Sequence, residues 1–109
     1  MAKKRYIELE QVREFKAAMP LDAKAEYESI VRKLEADGFL SAPFGEKVEK
    51  GLFAIRITQA ANERVFYVYG EGANLYGIHA YEKKTAKIPQ NELKQARRKK
   101  AMLEREGLL

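Results

Sequence analysis

The chain has 109 residues, which fits one compact domain spanning 1–109 and leaves too little material for a second independent core. With 46% hydrophobic and 34% charged residues it can build a real core, and wholesale disorder is excluded. The absence of cysteine excludes a disulfide framework, a thiolate metal site and a cysteine nucleophile, and a net charge of +5 makes an anionic partner the first to consider.

The opening residues Met1-Ala2-Lys3-Lys4-Arg5 lack a hydrophobic leader, and no apolar run approaches the roughly 20 residues that span a bilayer. The expectation is a soluble cytoplasmic protein with no membrane partner. Tyr6-Ile7-Glu8-Leu9-Glu10 alternates as a short half-buried strand does. Val12, Phe15 and Met19 then recur at helical steps until Pro20 interrupts them. Beyond Pro20, read as a first helical position, Tyr27, Ile30, Val31 and Leu34 form a core-facing stripe opposite Lys24, Glu28, Arg32 and Glu35. Asp22 and Glu26 suit that helix's amino-terminal end and Gly38 its stop, so the two helices read as a hairpin.

Ser41 to Glu46, containing Pro43 and Gly45, reads as a loop. In Leu52–Ile57 the residues Phe53, Ile55 and Ile57 share one strand face and Arg56 projects from the other. Asn62–Tyr69 is apolar on both sides, as an interior strand is, and Gly70-Glu71-Gly72 turns the chain. In Asn74–Tyr81, alternation puts Leu75, Gly77, His79 and Tyr81 on one face and Tyr76, Ile78 and Ala80 on the other. These three strands read as an antiparallel meander. Pro89 opens a last helix whose apolar contacts are Leu93, Ala96, Met102 and Leu103, with Ile88 as a poor cap and hence a frayed start. The predicted order is β-α-α-β-β-β-α, an α+β domain with its helices gathered on one side of a small sheet.

The charge is concentrated at one end. Lys83 to Lys100 holds eight basic residues against one acid, Glu92, for +7, while the rest of the chain carries −2. Such an end attracts phosphate backbones, although a solvated lysine-rich helix face or a docking surface for an acidic partner has the same composition. Gly-rich phosphate loops, HExxH and Cys/His ligand spacings are all missing, so no metal and no cofactor is expected. The single histidine, His79, reads first as a packed or hydrogen-bonded structural residue and second as an acid or base. Lys47, Arg56, Arg64, Lys83 and Lys84 lie on or beside segments that a meander brings together. Converging cations either pair with carboxylates, here Glu49, Glu63 or Glu82, or bind phosphate.

Three segments, Lys47-Val48-Glu49-Lys50-Gly51-Leu52-Phe53-Ala54-Ile55-Arg56, Arg64-Val65-Phe66-Tyr67 and His79-Ala80-Tyr81-Glu82-Lys83-Lys84-Thr85, followed by Pro89 and a basic helix, resemble the RelE/ParE superfamily of bacterial toxins. The likeness runs from about Tyr6 to Glu104 and is greatest to the phage-derived, HigB-like branch of type II toxin–antitoxin systems. Ala54 and Ile88 depart from the pattern, where Glu and Thr are more usual, and Tyr81 replaces a phenylalanine. The resemblance implies a small curved antiparallel sheet with an amino-terminal helical hairpin and a basic carboxy-terminal helix. It also implies a ribosome-dependent messenger-RNA endonuclease that blocks translation, neutralised by a cognate antitoxin, often a helix-turn-helix protein. Arg56, Arg64, Lys83 and Lys84 would then be catalytic. Lys47, Tyr81, Lys87, Lys94, Arg97, Arg98, Lys99 and Lys100 would bind messenger or ribosomal RNA.

Metal-free RNA cleavage uses the 2′-hydroxyl as internal nucleophile, so the site must orient it, move its proton and stabilise a developing phosphorane. Arg56 and Arg64 would grip the phosphate, Lys83 or Lys84 would transfer a proton, and Tyr81 would stack on a base unless it is ordinary sheet packing. The helix from Lys94 to Lys100 would anchor on ribosomal RNA; about five neutralised phosphates give a log–log salt slope of roughly −3.5 to −4.5. The alternatives on this scaffold are a ParE-like DNA gyrase inhibitor without nuclease activity and a plain nucleic-acid-binding protein.

Overall fold

The computed structural model describes residues 3–109; Met1 and Ala2, the first residues of the leader reading, lie outside the described residues. The elements are β1 (Arg5–Glu8), α1 (Glu10–Ala17), α2 (Leu21–Asp37), β2 (Gly45–Glu49), β3 (Leu52–Ile57), β4 (Glu63–Tyr69), β5 (Asn74–Glu82) and α3 (Gln90–Arg105). They form an α+β fold around one five-stranded sheet of order β1-β5-β4-β3-β2, consistent with the RelE-like architecture.

Three sequence expectations change. The sheet is mixed rather than antiparallel, because β1 runs parallel to β5 from Arg5↔Asn74 to Glu8↔Gly77. Part of the expected loop is a strand: β2 lacks alternation of its own and is recruited by pairing with β3, Gly45 opposite Ile55. The helices flank both faces instead of gathering on one. Val12, Tyr27, Ile30 and Leu34 of α1 and α2 bury Ile55, Ile57, Val65 and Tyr67, while Ala96 and Leu103 of α3 pack on Leu52, Ala54, Phe66 and Val68 of the opposite side. An interior strand that is apolar on both sides requires this second layer. Each large side chain so buried contributes roughly 1.5–3 kcal/mol.

The helix boundaries follow local rules. Pro20 and Pro89 are the N-caps of α2 and α3 rather than their first helical residues as expected, and neither helix has a side-chain cap bond. Ile88 is therefore not the cap; it packs half-buried under α3. Gly38 ends α2 at φ +83°, a left-handed conformation that glycine adopts without a Cβ penalty.

A bulge shapes the functional end. Phe66 pairs with His79 but Tyr67 pairs with Gly77, so Ile78 is an extra residue in β5. It breaks the strict alternation expected there, and Tyr76 and Ile78 join Tyr81 on the α3 side while Leu75 and Ala80 face α1 and α2. β1 ends opposite Gly77, and beyond it the Gln11 side-chain amide takes over as the ladder partner of Ala80. It donates to the carbonyl and accepts from the N–H, both at 2.8 Å. This link holds α1 against β5 next to Tyr81. On the other side, the Glu26 carboxylate of α2 accepts the N–H groups of Thr58, Gln59 and Ala60, which fixes the loop leading into β4.

Candidate functional site

Antiparallel register brings three sequence-distant residues into one row: Arg56 on β3 is opposite Arg64 on β4, which is opposite Tyr81 on β5. All three lie on the α3 side of the sheet, next to Ala54 and Phe66 of the cluster under α3. Arg64 is 3% and Tyr81 4% exposed, whereas Arg56 is half-buried. Arg64 Nη1 donates to the Asn62 Oδ1 and the Glu63 carbonyl, at 3.2 and 3.0 Å, so the guanidinium is held from behind. Asn62 in turn donates to the Lys83 carbonyl at 2.9 Å and its own carbonyl accepts from the Lys83 N–H, which docks the segment after β5 beside the row.

The arginines do share a carboxylate, but it is none of the three that sequence spacing suggested. Glu46 of β2 stands 3.5 Å from Arg64 Nε and 3.9 Å from Arg56 Nε. Neither contact is a hydrogen bond, and Arg56 Nε, Arg64 Nε and the Tyr81 hydroxyl are buried without a hydrogen-bond partner. Buried orphan donors are uncommon and costly, and three in a row make a receptive place for an anion. Burial raises the Tyr81 hydroxyl above its usual pKa, while Arg64 acts to lower it and Glu46 and Glu92 to raise it, so it remains a donor at neutral pH. Glu46 was invisible to sequence reasoning because its strand was read as a loop.

An open groove of about 440 Å³ meets the row at its Tyr81 end, lined by Gln11, Phe15, Tyr81, Glu82, Lys84, Thr85, Pro89 and Glu92. Lys83 follows β5 directly and is half-buried, its backbone held by Asn62. Lys84 is 78% exposed and lies 3.8 Å from Glu82. Lys87 is exposed on the same segment. Lys47 does not join them: its register partner is Phe53, whose ring packs on the α1–α2 side.

The basic residues of α3 divide among three directions. Arg97 forms a bidentate pair with Glu49, at 2.7 and 3.1 Å, which holds that carboxyl below its usual pKa. Lys100 reaches the Lys50 carbonyl at 3.4 Å, and Lys99 turns inward to His79 Nδ1 at 3.2 Å. Lys94 and Arg98 face solvent around a shallow hollow with Asn91 and Gln95. His79 itself is 7% exposed and bonded to Glu92 through Nε2 at 2.7 Å, as its structural reading expected. Among the described residues no three His, Cys, Asp or Glu side chains converge to hold a metal ion, and no helix is long and apolar enough to cross a membrane.

Comparison with known proteins adds a family. The profile described as Phage derived protein Gp49-like (DUF891) matches residues 14–101, and no curated protein matches the chain. The matched span includes β2 to β5, the row and most of α3. The chain belongs to this Gp49-like family, whose members are toxins of the toxin–antitoxin kind related to RelE/ParE.

Proposed function

We propose that this member of the Gp49-like family is the toxin of a type II toxin–antitoxin pair in the cytoplasm and acts as a ribosome-dependent messenger-RNA endonuclease. The observation that carries the reading is the set of three buried donors without a hydrogen bond, Arg56 Nε, Arg64 Nε and the Tyr81 hydroxyl, on adjacent strands. A scissile phosphate would displace the long Glu46 contacts and offer these donors the oxygens they lack. Guanidinium forks suit the non-bridging oxygens, and their charge stabilises the phosphorane as it forms. Lys83, two residues after Tyr81 and docked by Asn62, protonates the leaving 5′ oxygen. Lys84 and Lys87 follow the RNA strand, and Tyr81 supplies its hydroxyl rather than an open ring face, since the ring is stacked on Phe66 at 5.6 Å. Lys94, Arg98 and Lys100 provide sequence-independent contacts to ribosomal RNA. A cognate antitoxin, of helix-turn-helix type by the resemblance, would neutralise the protein.

The test is to map RNA ends after brief induction of the wild-type protein and of Arg64→Ala. The expected result is transcript cleavage with growth arrest for the former and a cleavage rate lower by about 10²–10³ for the folded variant. Gyrase-dependent DNA damage with intact transcripts would replace this reading with the gyrase-inhibitor one.

A further inference from the structure

His79 is gripped from both ends by α3. Lysine offers only protons, so Lys99 Nζ donates to Nδ1 at 3.2 Å and the single proton of the neutral ring sits on Nε2, which donates to Glu92 Oε1 at 2.7 Å. Glu92 and Lys99 are seven residues apart, two turns along one helix face, and the imidazole fills the space between them. Burial holds the imidazole below its ordinary pKa; Lys99 acts in the same direction and Glu92 against it, so the ring is neutral in this arrangement. The groups facing it are Glu92 and Lys99 from α3 and the Phe66 ring from β4, with centroids 6.3 Å apart.

The far end of this chain is open. Glu92 is 27% exposed, lines the groove together with Tyr81 and Lys84, and its Oε2 takes no hydrogen bond among the described residues. The position is the third of α3, where the helix amino terminus favours a carboxylate. Glu92 and Tyr81 line the same groove, which puts an anionic acceptor at the Tyr81 end of the row of donors.

We infer that Glu92 is the base that takes the 2′-hydroxyl proton of the RNA, with His79, backed by Lys99, as the residue that orients it. This rests on the nuclease reading above. In the step, the O–H bond breaks toward Glu92 Oε2 as the 2′ oxygen bonds to phosphorus. The bond from phosphorus to the 5′ oxygen breaks, and that oxygen takes a proton from the Lys83 ammonium. The products are a 2′,3′-cyclic phosphate and a 5′-hydroxyl; Glu92 ends protonated and Lys83 neutral, and solvent restores both. A carboxylate fits the first task better than a lysine, which holds its proton at neutral pH. Glu46 is poorly suited, since it lies against the arginines where the phosphate must bind.

The experiment is single-turnover cleavage on programmed ribosomes across pH, for wild type, Glu92→Gln, Glu92→Asp and His79→Asn, with ribosome binding and melting temperature measured alongside. Glu92→Gln is expected to lower the rate by about 10²–10⁴ and to remove the acidic limb of the profile, with ribosome affinity unchanged. Glu92→Asp is expected to recover part of the rate together with that limb. His79→Asn is expected to keep the limb but move its midpoint, because the acceptor survives without its donor. Should Gln at 92 prevent folding, Glu92→Asp against wild type decides by the same limb. A folded Glu92→Gln variant with the wild-type rate and profile would overturn the inference while leaving the nuclease reading intact. Absence of cleavage by the wild-type protein would overturn both.

Discussion

Arg56 and Arg64 are register partners across β3 and β4, and one carboxylate, Glu46, reaches toward both, 3.9 Å from the first and 3.5 Å from the second. Like charges directly opposite on a sheet repel, so the pair needs a counter-charge even before any ligand arrives. Glu46 supplies half of one: two cations against a single anion leave a net positive site. It is also the group that a bound phosphate must push aside.

Replacing Glu46 by Gln therefore has a predictable sign. At low salt Glu46→Gln is expected to tighten RNA binding by roughly three- to tenfold, because a negative charge a few ångströms from the phosphate disappears. The same change lowers the melting temperature slightly, since the arginines lose their shared counter-ion. Ribosome or RNA binding by filter retention measures the first effect. Unchanged or weaker binding by a folded variant would show that Glu46 does not compete with the phosphate.

Salt dependence reports how many cations of the basic end are free. Arg97 is neutralised by Glu49 and Lys99 is turned toward His79, which leaves Lys84, Lys87, Lys94, Arg98 and Lys100 for peripheral phosphates. Five contacts give a slope of log affinity against log salt of roughly −3.5 for single-stranded and −4.5 for double-stranded RNA, carried by a different set of cations from the Lys94–Lys100 run alone. Arg98→Gln is expected to flatten it by about 0.7–0.9. A slope near zero would remove the anchoring role of α3.

Glu63 carries a pH effect of opposite sign to the usual carboxylate. Its side chain is 9% exposed, its Oε1 is unpartnered, and it faces Glu82 in the register. Burial first, then Glu82 and Glu26, raise its pKa above the ordinary 4.5. The folded state therefore binds a proton more tightly than the unfolded state. The stability from this group is complete below about pH 4.5 and is lost as pH rises through the raised value. Glu63→Gln is expected to melt higher than wild type at pH 7, with the difference vanishing below about pH 4.5. A Glu63→Gln variant that melts lower at neutral pH would mean the carboxylate has a cationic partner instead.

Much of the fold was legible from local chemistry. Periodicity located α1, α2, β3, β4 and α3 because each carries its own signal: a helical stripe at Tyr27, Ile30 and Leu34, alternation at Phe53, Ile55 and Ile57, and Pro89 and Gly38 as punctuation. Arg56 and Arg64 were singled out for the same reason, since a cation in an otherwise apolar strand is conspicuous. β2 was not legible, because Gly45–Glu49 becomes a strand only through the ladder that β3 offers it, and with β2 the role of Glu46 was hidden as well. The extra residue at Ile78 is equally silent in sequence, although it decides which of the β5 side chains meet α3.

Sequence by itself determined which side chains are apolar, where helices begin and stop, and that the chain ends in a cationic segment, since those properties belong to neighbours within a few residues. Only the tertiary structure decided that Arg56, Arg64 and Tyr81 stand in one row, that Arg97 is spent on Glu49, and that His79 lies between Glu92 and Lys99. Register, bulges and the seating of α3 are set by contacts between residues tens of positions apart, and such contacts exist only once the sheet has closed around its core.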